Sequence, residues 1–224
     1  MCSRYAPPRP DVLHAAFRAM PPDNLPVGPI FPRQPGVFVR TGHVQQREAV
    51  VGQWGLIPWF TQGAPQKYAT NNARAETLST AATYRRAWAR GQRCIVPAES
   101  FDESNWESGR NQWWRFRRAD GGTWGLAGLW DAWANDATGE IVESYTLLTM
   151  NADAHPLMRR MNKPDPKRPP DQQDKRSVVA LAPVDWDLWL HGPMPAANAL
   201  IRLAPVEEFD ARPESTDRAP SLFD

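Results

Sequence analysis

Residues 93–103 read RCIVPAESFDE, an apolar run that ends in acidic side chains, and this stretch decides how the fold is interpreted. Its β-branched and aromatic residues are typical of a strand. Three more stretches of the same character follow it, separated by turns that carry glycine, at 112–119, 123–134 and 141–151. Strands joined by such turns predict an antiparallel meander at the centre of the chain.

Two shorter strand segments precede this meander, and another follows it. Residues 37–40 and 49–57 are rich in β-branched and aromatic side chains and predict a hairpin. Prolines interrupt residues 24–36, and because they lock the backbone and remove amide donors, this segment is predicted to be a loop or a sheet edge. Residues 177–181 predict one further strand.

Helices are predicted at the margins of these strands. Residues 10–20 place apolar side chains on one helical face. Residues 76–90 contain neither glycine nor proline and run into Gly91, which predicts a helix that ends at this glycine. A third helix is predicted around residues 184–190. The overall pattern is a strand-rich fold with peripheral helices.

The composition indicates a single globular domain. The chain has 224 residues, 42% of them hydrophobic, and 26 Lys and Arg against 25 Asp and Glu give a net charge of +1. This balance argues against a uniformly basic, histone-like protein and against a disordered chain. We expect one domain over residues 1–203 and a mobile, acidic, proline-containing tail over residues 204–224.

Cysteine and histidine usage excludes several classes of protein. Cys2 and Cys94 are the only cysteines in the sequence, so neither a disulfide framework nor a paired-cysteine metal site is expected. The four histidines lack metal-ligand spacing, and no phosphate-binding glycine loop or nucleophile elbow occurs. The first twenty residues lack the apolar centre of a signal peptide, and no stretch predicts a membrane span. We therefore expect a cytoplasmic protein.

Cys2 is the first candidate nucleophile. If Met1 is removed, Cys2 presents a free α-amine and a thiol on adjacent carbons, which no internal cysteine offers. An aldehyde can condense with the amine to an imine, and the thiol can then close a five-membered thiazolidine ring. Alternatively, the thiol could attack an amide as an N-terminal nucleophile. The plainer interpretation is a cysteine near a frayed terminus.

Two internal segments carry polar side chains that could also serve chemistry. Residues 68–77 read YATNNARAET and place Asn72 and Arg74 where a helix is predicted to begin. Such asparagines are either helix caps or part of an anion site. Asp102 and Glu103 end the first strand of the meander and could host a general acid or base, with solvated surface as the plainer alternative.

Arginine and tryptophan side chains are interleaved through the centre of the sequence. Residues 71–118 hold nine Arg against five Asp and Glu, together with several tryptophans. Arginine contacts phosphates and exposed tryptophan stacks on bases, a combination typical of single-strand binding. Alternation along the strands places at least half of the tryptophans in the core instead.

Five segments, taken in order, resemble one family of proteins: MCSRY at 1–5, WGLIPWF at 54–60, NARAET at 72–77, RCIVPAESFDE at 93–103 and TMNADAHPLMRRMNKP at 149–164. They resemble the SOS-response-associated peptidase (SRAP) domain family of abasic-site processing proteins. The resemblance implies a single α+β domain with a curved, barrel-like antiparallel sheet. It also implies covalent capture of abasic sites in single-stranded DNA, as a thiazolidine crosslink, with no metal or organic cofactor.

The resemblance also implies roles for individual residues. Cys2 matches the family's nucleophile, exposed by removal of Met1. Asn72 matches the residue that orients the cysteine or the sugar, and Glu103 matches a proton shuttle for imine formation and reversal. Arg74 matches the family's phosphate ligand, and Arg4 matches the basic residue beside the nucleophile. Trp59 and Phe60 resemble the family's base-stacking wedge, and Trp106 is expected to supply an aromatic ring that the PAESFDES segment lacks. We expect Arg85 and Arg86 to contact phosphates as well.

One motif departs from the family pattern. Family members usually carry histidine in a segment such as MHKP, whereas residues 161–164 of this chain read MNKP. Because an asparagine amide does not transfer protons near neutral pH, the step served by the histidine is expected to be slow. We expect Asn162 to occupy this position and His155 to be structural. The alternative is that His155 takes over the role.

These features together predict a monomeric, nucleoid-associated DNA-damage factor that binds single-stranded DNA with abasic sites. Two other classes remain open. A thiol peptidase that uses Cys2 on other proteins would show no dependence on DNA. A non-catalytic single-strand binder would leave Cys2 incidental, and the near-zero net charge disfavours this class.

Overall fold

The computed structural model describes residues 2–42, 45–61, 67–134 and 138–214. The strands in this part of the chain are β1 (Arg4–Ala6), β2 (Pro35–Thr41), β3 (Arg47–Trp54), β4 (Asn72–Arg74), β5 (Arg93–Ala98), β6 (Ser100–Asn105), β7 (Gln112–Arg118), β8 (Trp124–Ala134), β9 (Ile141–Asn151), β10 (Arg176–Val178), β11 (Ala180–Leu181) and β12 (Phe209–Pro213). The α-helices are α1 (Pro10–Phe17), α2 (Arg85–Ala89), α3 (Trp186–His191) and α4 (Met194–Ala199).

Strands β9, β3, β2, β5 and β8 form a closed ring, because β8 pairs back onto β9. The β3–β9 pair is parallel, and the other four pairs of the ring are antiparallel. Closure leaves the ring without a free edge, and β4, β10 and β11 extend it on the outside. The prediction of a single α+β domain with a barrel-like sheet is confirmed.

A second, four-stranded sheet has the order β1, β6, β7, β12. The prediction that residues 93–103 form one strand of a simple meander is wrong, because the chain breaks at Glu99, whose amide donates to the carbonyl of Ala6. As a result β5 lies in the barrel, whereas β6 lies beside β1 in the second sheet. This break brings the acidic end of the stretch next to the N-terminal strand.

Alternate residues of the barrel strands belong to two different apolar clusters. Val37 and Val39 of β2 lie in the cluster that includes side chains of α1 and α3, whereas Phe38 between them lies in the cluster that contains Cys2 and Tyr5. This alternation is what a strand with both faces covered requires. Cys2 is therefore part of a packed core.

The predicted hairpin and the helix at residues 10–20 are both confirmed. β2 and β3 pair over their full lengths, from Pro35 opposite Gln53 to Thr41 opposite Arg47. α1 ends at Phe17 because Arg18 adopts a left-handed backbone conformation, with φ 54°. The strand predicted at 177–181 is divided between β10 and β11, which pair with different neighbours.

The helix predicted over residues 76–90 is wrong for most of its length. Only Arg85–Ala89 is α-helical, and Ala75–Thr77 forms a separate 3₁₀ turn. The hydroxyl of Thr80 donates to the Thr77 carbonyl, one of the local bonds through which threonine competes with helix formation. The chain does turn at Gly91, where φ is +65°.

The first part of the predicted tail is ordered. Phe209–Pro213 form β12, which pairs with β7, and the next residue, Glu214, forms ion pairs with Arg4 and Arg115. Residues 215–224 lie outside the described part of the chain. Among the described residues, no helix is long and apolar enough to cross a membrane.

Candidate functional site

The site is built around the backbone of Cys2. The Cys2 carbonyl accepts hydrogen bonds from the side-chain amides of Asn71, at 3.2 Å, and Asn72, at 2.7 Å. The Cys2 side chain is fully buried, and its thiol donates to the carbonyl of Arg4 at 3.5 Å. Burial raises the pKa of the thiol well above its usual range, and the nearby Glu103 carboxylate raises it further. The thiol is therefore held in its protonated form at neutral pH.

Both asparagines are positioned by the barrel. Asn72 opens β4, which pairs in parallel with β9, and the backbone carbonyl of Asn71 accepts from the amide of Leu147. The Trp54 indole donates to the same carbonyl at 2.9 Å. Neither asparagine caps a helix, since the side chains contact Cys2 instead. Asn72 Oδ1 is buried and has no hydrogen-bond partner within the described residues.

Glu103 lies on β6, the strand that pairs with the N-terminal strand β1. Its side chain is 1% exposed, and its Oε2 accepts a hydrogen bond from Asn162 Nδ2 at 3.0 Å. Burial raises the pKa of this carboxyl, although the Asn162 amide opposes the shift. A buried carboxyl with a raised pKa can hold a proton near neutral pH, as a general acid must.

The structure separates the two candidates for the histidine position. Asn162 contacts Glu103 directly, through its side-chain amide. His155 is buried elsewhere, where its Nδ1 accepts from the amides of Leu157 and Met158 and its Nε2 lies 2.9 Å from the Ala204 carbonyl. These three bonds fix a neutral imidazole with its proton on Nε2. His155 thus has the contacts of a structural residue.

The arginines assigned to phosphates differ in their contacts. Arg4 pairs with Asp102 and Glu214, and since Asp102 and Glu103 are adjacent in one strand, the Arg4 guanidinium lies on the sheet face away from Glu103. Arg74 is half-exposed and pairs with Asp174 at 2.8 Å. A phosphate would have to compete with these carboxylates.

An aromatic patch lies beside α2. Trp59 and Phe60 are 49% and 47% exposed, and such large apolar side chains left in water indicate a contact surface. The Arg86 guanidinium lies 5.6 Å from the Trp59 ring, and Arg85, exposed on the same helix, lines the same cleft. The patch therefore combines two exposed rings with two cations.

Trp106 lines a cleft together with Asn162 and Lys175, and the Lys163 ammonium lies 4.9 Å from its ring. Asn162 lines this cleft and also contacts Glu103. The role of Trp106 as a replacement ring stays a prediction.

Two residues at the site received no role of their own from the sequence, although Asn71 was among the polar candidates of residues 68–77. Asn71 shares the contact to Cys2, and Lys175 donates to the backbone carbonyl of Asn162. The NN pair in YATNNARAET was a signal for Asn71, whereas Lys175 lies in a charged loop that has no such signal. Over residues 2–42, 45–61, 67–134 and 138–214, no group of three His, Cys, Asp or Glu side chains could hold a metal ion.

Comparison with known proteins identifies consistent relatives. A family model described as SOS response associated peptidase (SRAP) matches residues 1–217. A curated protein of Xenopus tropicalis, named abasic site processing protein HMCES, is 28% identical over 200 residues, which cover 80% of this chain and 56% of that protein. Abasic site processing protein YobE of Bacillus subtilis (strain 168) is 31% identical over 99 residues, 44% of each chain. The chain thus spans about half the length of these curated relatives.

A crystal structure of a protein from Bordetella bronchiseptica is similar over nearly the whole fold. The two chains are 36% identical with a TM-score of 0.84, and the match covers 96% of this chain and 100% of the other. A protein from Bacteroides thetaiotaomicron, at 20% identity and a TM-score of 0.76, shares the fold.

Proposed function

The chain belongs to the SOS response associated peptidase (SRAP) family, and on this basis we propose that it recognises abasic sites in single-stranded DNA and captures them covalently through Cys2. The product is a thiazolidine between Cys2, freed of Met1, and the ring-opened sugar. Its role is to protect the lesion during the response to DNA damage. The curated relatives named abasic site processing proteins support the choice of lesion.

The observation that carries this proposal is the arrangement around Cys2. Two asparagine amides hold the Cys2 carbonyl, and a buried carboxyl, Glu103, lies close enough to raise the pKa of the Cys2 thiol. Fixing the cysteine backbone fixes the direction of its α-amine and its thiol, which must act on the same carbon. An incidental cysteine at a frayed terminus would need none of these contacts.

The chemistry follows from these groups. The Cys2 α-amine adds to the aldehyde carbon of the ring-opened sugar and gives a carbinolamine. The Glu103 carboxyl, whose pKa burial raises, donates a proton to the departing hydroxyl and takes back the proton on the nitrogen, so that water and a neutral imine result and Glu103 is again protonated. The Cys2 sulfur then bonds to the imine carbon, its proton passes to the imine nitrogen, and the ring closes. One water leaves in all, and no oxidant or cofactor is consumed.

The DNA strand is proposed to pass over the aromatic patch of Trp59, Phe60, Arg85 and Arg86. Bases flanking the lesion stack on the two rings, and Arg85 contacts a phosphate. Asn72 Oδ1, buried without a partner among the described residues, accepts from a hydroxyl of the abasic sugar. Arg74 contributes once a phosphate displaces Asp174.

Intact-mass spectrometry tests the proposal directly. Purified protein without Met1 is incubated with a single-stranded oligonucleotide that carries one abasic site, and with the same oligonucleotide without the lesion. We expect a covalent adduct of protein plus DNA minus one water with the abasic strand only. Cys2→Ala abolishes the adduct, whereas Cys94→Ala, at the other buried cysteine, retains it. An adduct that persists in Cys2→Ala, or no adduct from the Met1-free protein, would refute the proposal.

A further inference from the structure

Lys175 is a nearly buried cation at the edge of the site. Its residue is 7% exposed, although lysine is among the residues least often buried. Its backbone is fixed on both sides, since its amide donates to Asp153 Oδ1 at 2.8 Å and its carbonyl accepts from Ala152 at 2.7 Å. Burial lowers the pKa of the ammonium, and Asp153 opposes the shift.

The Lys175 ammonium donates to the backbone carbonyl of Asn162 at 2.5 Å. This hydrogen bond joins the loop that carries Lys175 to the backbone of Asn162, while the Asp153 carboxylate favours the charged form of the ammonium.

Asn162 is a residue that needs anchoring. Its φ is +64°, in the left-handed region, which asparagine tolerates but which costs free energy relative to an extended or helical backbone. Its amide donates to the Ser104 carbonyl at 2.6 Å on one side, and its carbonyl accepts from Lys175 on the other. Held in this way, the side-chain amide reaches Glu103 Oε2.

We propose that Lys175 is a positioning residue for the capture reaction, which holds the Asn162 carbonyl so that the Asn162 amide stays on Glu103. The inference rests on the proposed function, because Glu103 is the proton donor in that reaction. Lys175 does not touch the reacting atoms. It acts through Asn162, and its loss leaves Asn162 with one backbone anchor instead of two.

The experiment combines crosslinking rates with a measurement that needs no DNA. Single-turnover rates of adduct formation at saturating abasic single-stranded DNA are compared for the wild type, Lys175→Met, Lys175→Arg, Asn162→Ala and the double variant Lys175→Met/Asn162→Ala. Lys167→Met, an exposed lysine on the same loop, is the matched control for the lost charge. Hydrogen exchange of the Asn162 backbone amide is measured in the wild type and in the lysine variants.

We expect Lys175→Met to slow adduct formation about tenfold, the loss of one charged hydrogen bond, with the half-saturating DNA concentration within about twofold of wild type. Lys175→Arg recovers part of the rate, and Lys167→Met leaves it unchanged. The double variant is no slower than Asn162→Ala alone, because Lys175 acts through Asn162. Exchange at Asn162 quickens in Lys175→Met.

Other outcomes separate the two proposals. The role of Lys175 is overturned if the rate loss in the double variant equals the product of the losses in the two single variants. It is also overturned if Lys175→Met changes neither the adduct-formation rate nor the exchange of the Asn162 amide. If the wild type forms no adduct, the proposed function fails, while exchange at Asn162 still decides whether Lys175 anchors this residue. If Lys175→Met does not fold, the adduct-formation rate of Lys175→Arg and the hydrogen exchange of its Asn162 amide are compared with those of the wild type instead.

Discussion

Asn162 is the residue at which this chain departs from the MHKP pattern of its family, and it contacts Glu103. Its amide bonds to Glu103, but an amide does not exchange protons near neutral pH. An imidazole does, and histidine also tolerates the left-handed backbone found here. In the proposed reaction, Asn162 therefore contacts Glu103 without transferring a proton.

Asn162→His is accordingly expected to raise the rate of crosslink formation or of its reversal about tenfold at pH 7, at the low end of what a general acid or base contributes. Adduct formation and release are followed by denaturing gel electrophoresis over time. Asn198→His, the same change at an exposed position of α4, should leave both rates unchanged. Unaltered formation and reversal in Asn162→His would contradict the interpretation of this position.

Ionisation of Glu103 lowers the free energy of unfolding, and this effect can be measured by unfolding the protein at different pH values. Its folded-state pKa lies above the unfolded value because it is buried, so its ionisation favours the unfolded chain. The cost is absent below the unfolded pKa of about 4.3 and grows as the pH rises towards the folded value. Glu103→Gln keeps an acceptor for Asn162 and removes the cost.

We therefore expect Glu103→Gln to stabilise the fold by about 1 kcal/mol at pH 8, a size usual for substitutions at strained functional sites, and not at pH 4. Denaturant unfolding at the two pH values measures this difference. Glu99→Gln, at an exposed acid of the same stretch, should change stability at neither pH. A gain of equal size at both values would show that the carboxyl is not held near its neutral form.

At the scale of the elements, local patterns predicted the strands well and their partners less well. Residue type and turn signals located β7, β8 and β9 to within one residue and β2 and β3 to within three. The barrel strands β2, β3, β8 and β9 alternate side chains between two apolar clusters. The break between β5 and β6 has no such signal. It depends on Glu99 meeting Ala6, a contact between residues far apart in the sequence.

The errors in the helices and in the tail have the same origin. Residues 76–90 contain no helix breaker, but threonine hydroxyls bond to nearby carbonyls, and tertiary packing decides the outcome. Residues 209–213 look like a tail because they are polar and follow prolines, yet they complete the second sheet against β7. Composition does not reveal which exposed sheet edge a segment will cover.

The candidate site was predictable in part. The structure places Asn72 on the Cys2 carbonyl and Asn162 on Glu103, whereas the roles that the family motifs imply for these residues stay predictions. The ion pairs of Arg4 with Asp102 and Glu214 could not be foreseen. They require β1 to pair with β6, so that Arg4 lies opposite Asp102, and β12 to pair with β7, so that Glu214 lies nearby. Lys175 was missed for the same reason, since its contact with Asn162 joins two loops.

At the scale of the whole molecule, the charge distribution limits how DNA can be bound. The net charge is +1, and many arginines are already paired, for example Arg118 with Asp120 and Arg160 with Glu107. The DNA binding proposed above therefore cannot depend on a broad basic surface. It has to depend on a few cations near the aromatic patch together with stacking, which salt screens much less.

The salt dependence of binding to intact single-stranded DNA tests this limit. Each phosphate contact contributes about −0.7 to the slope of log K against log salt for single strands, and we expect a total slope of about −2 to −3. Arg85→Ala, which removes an exposed cation beside Trp59, should make the slope shallower by about 0.7. Arg118→Ala, whose guanidinium is already held by Asp120, should leave it unchanged. Fluorescence anisotropy titrations at four salt concentrations measure the slope for each variant. Equal changes of slope in Arg85→Ala and Arg118→Ala would contradict the prediction, because they would mean that arginines in general, and not those of the patch beside α2, contact the phosphates.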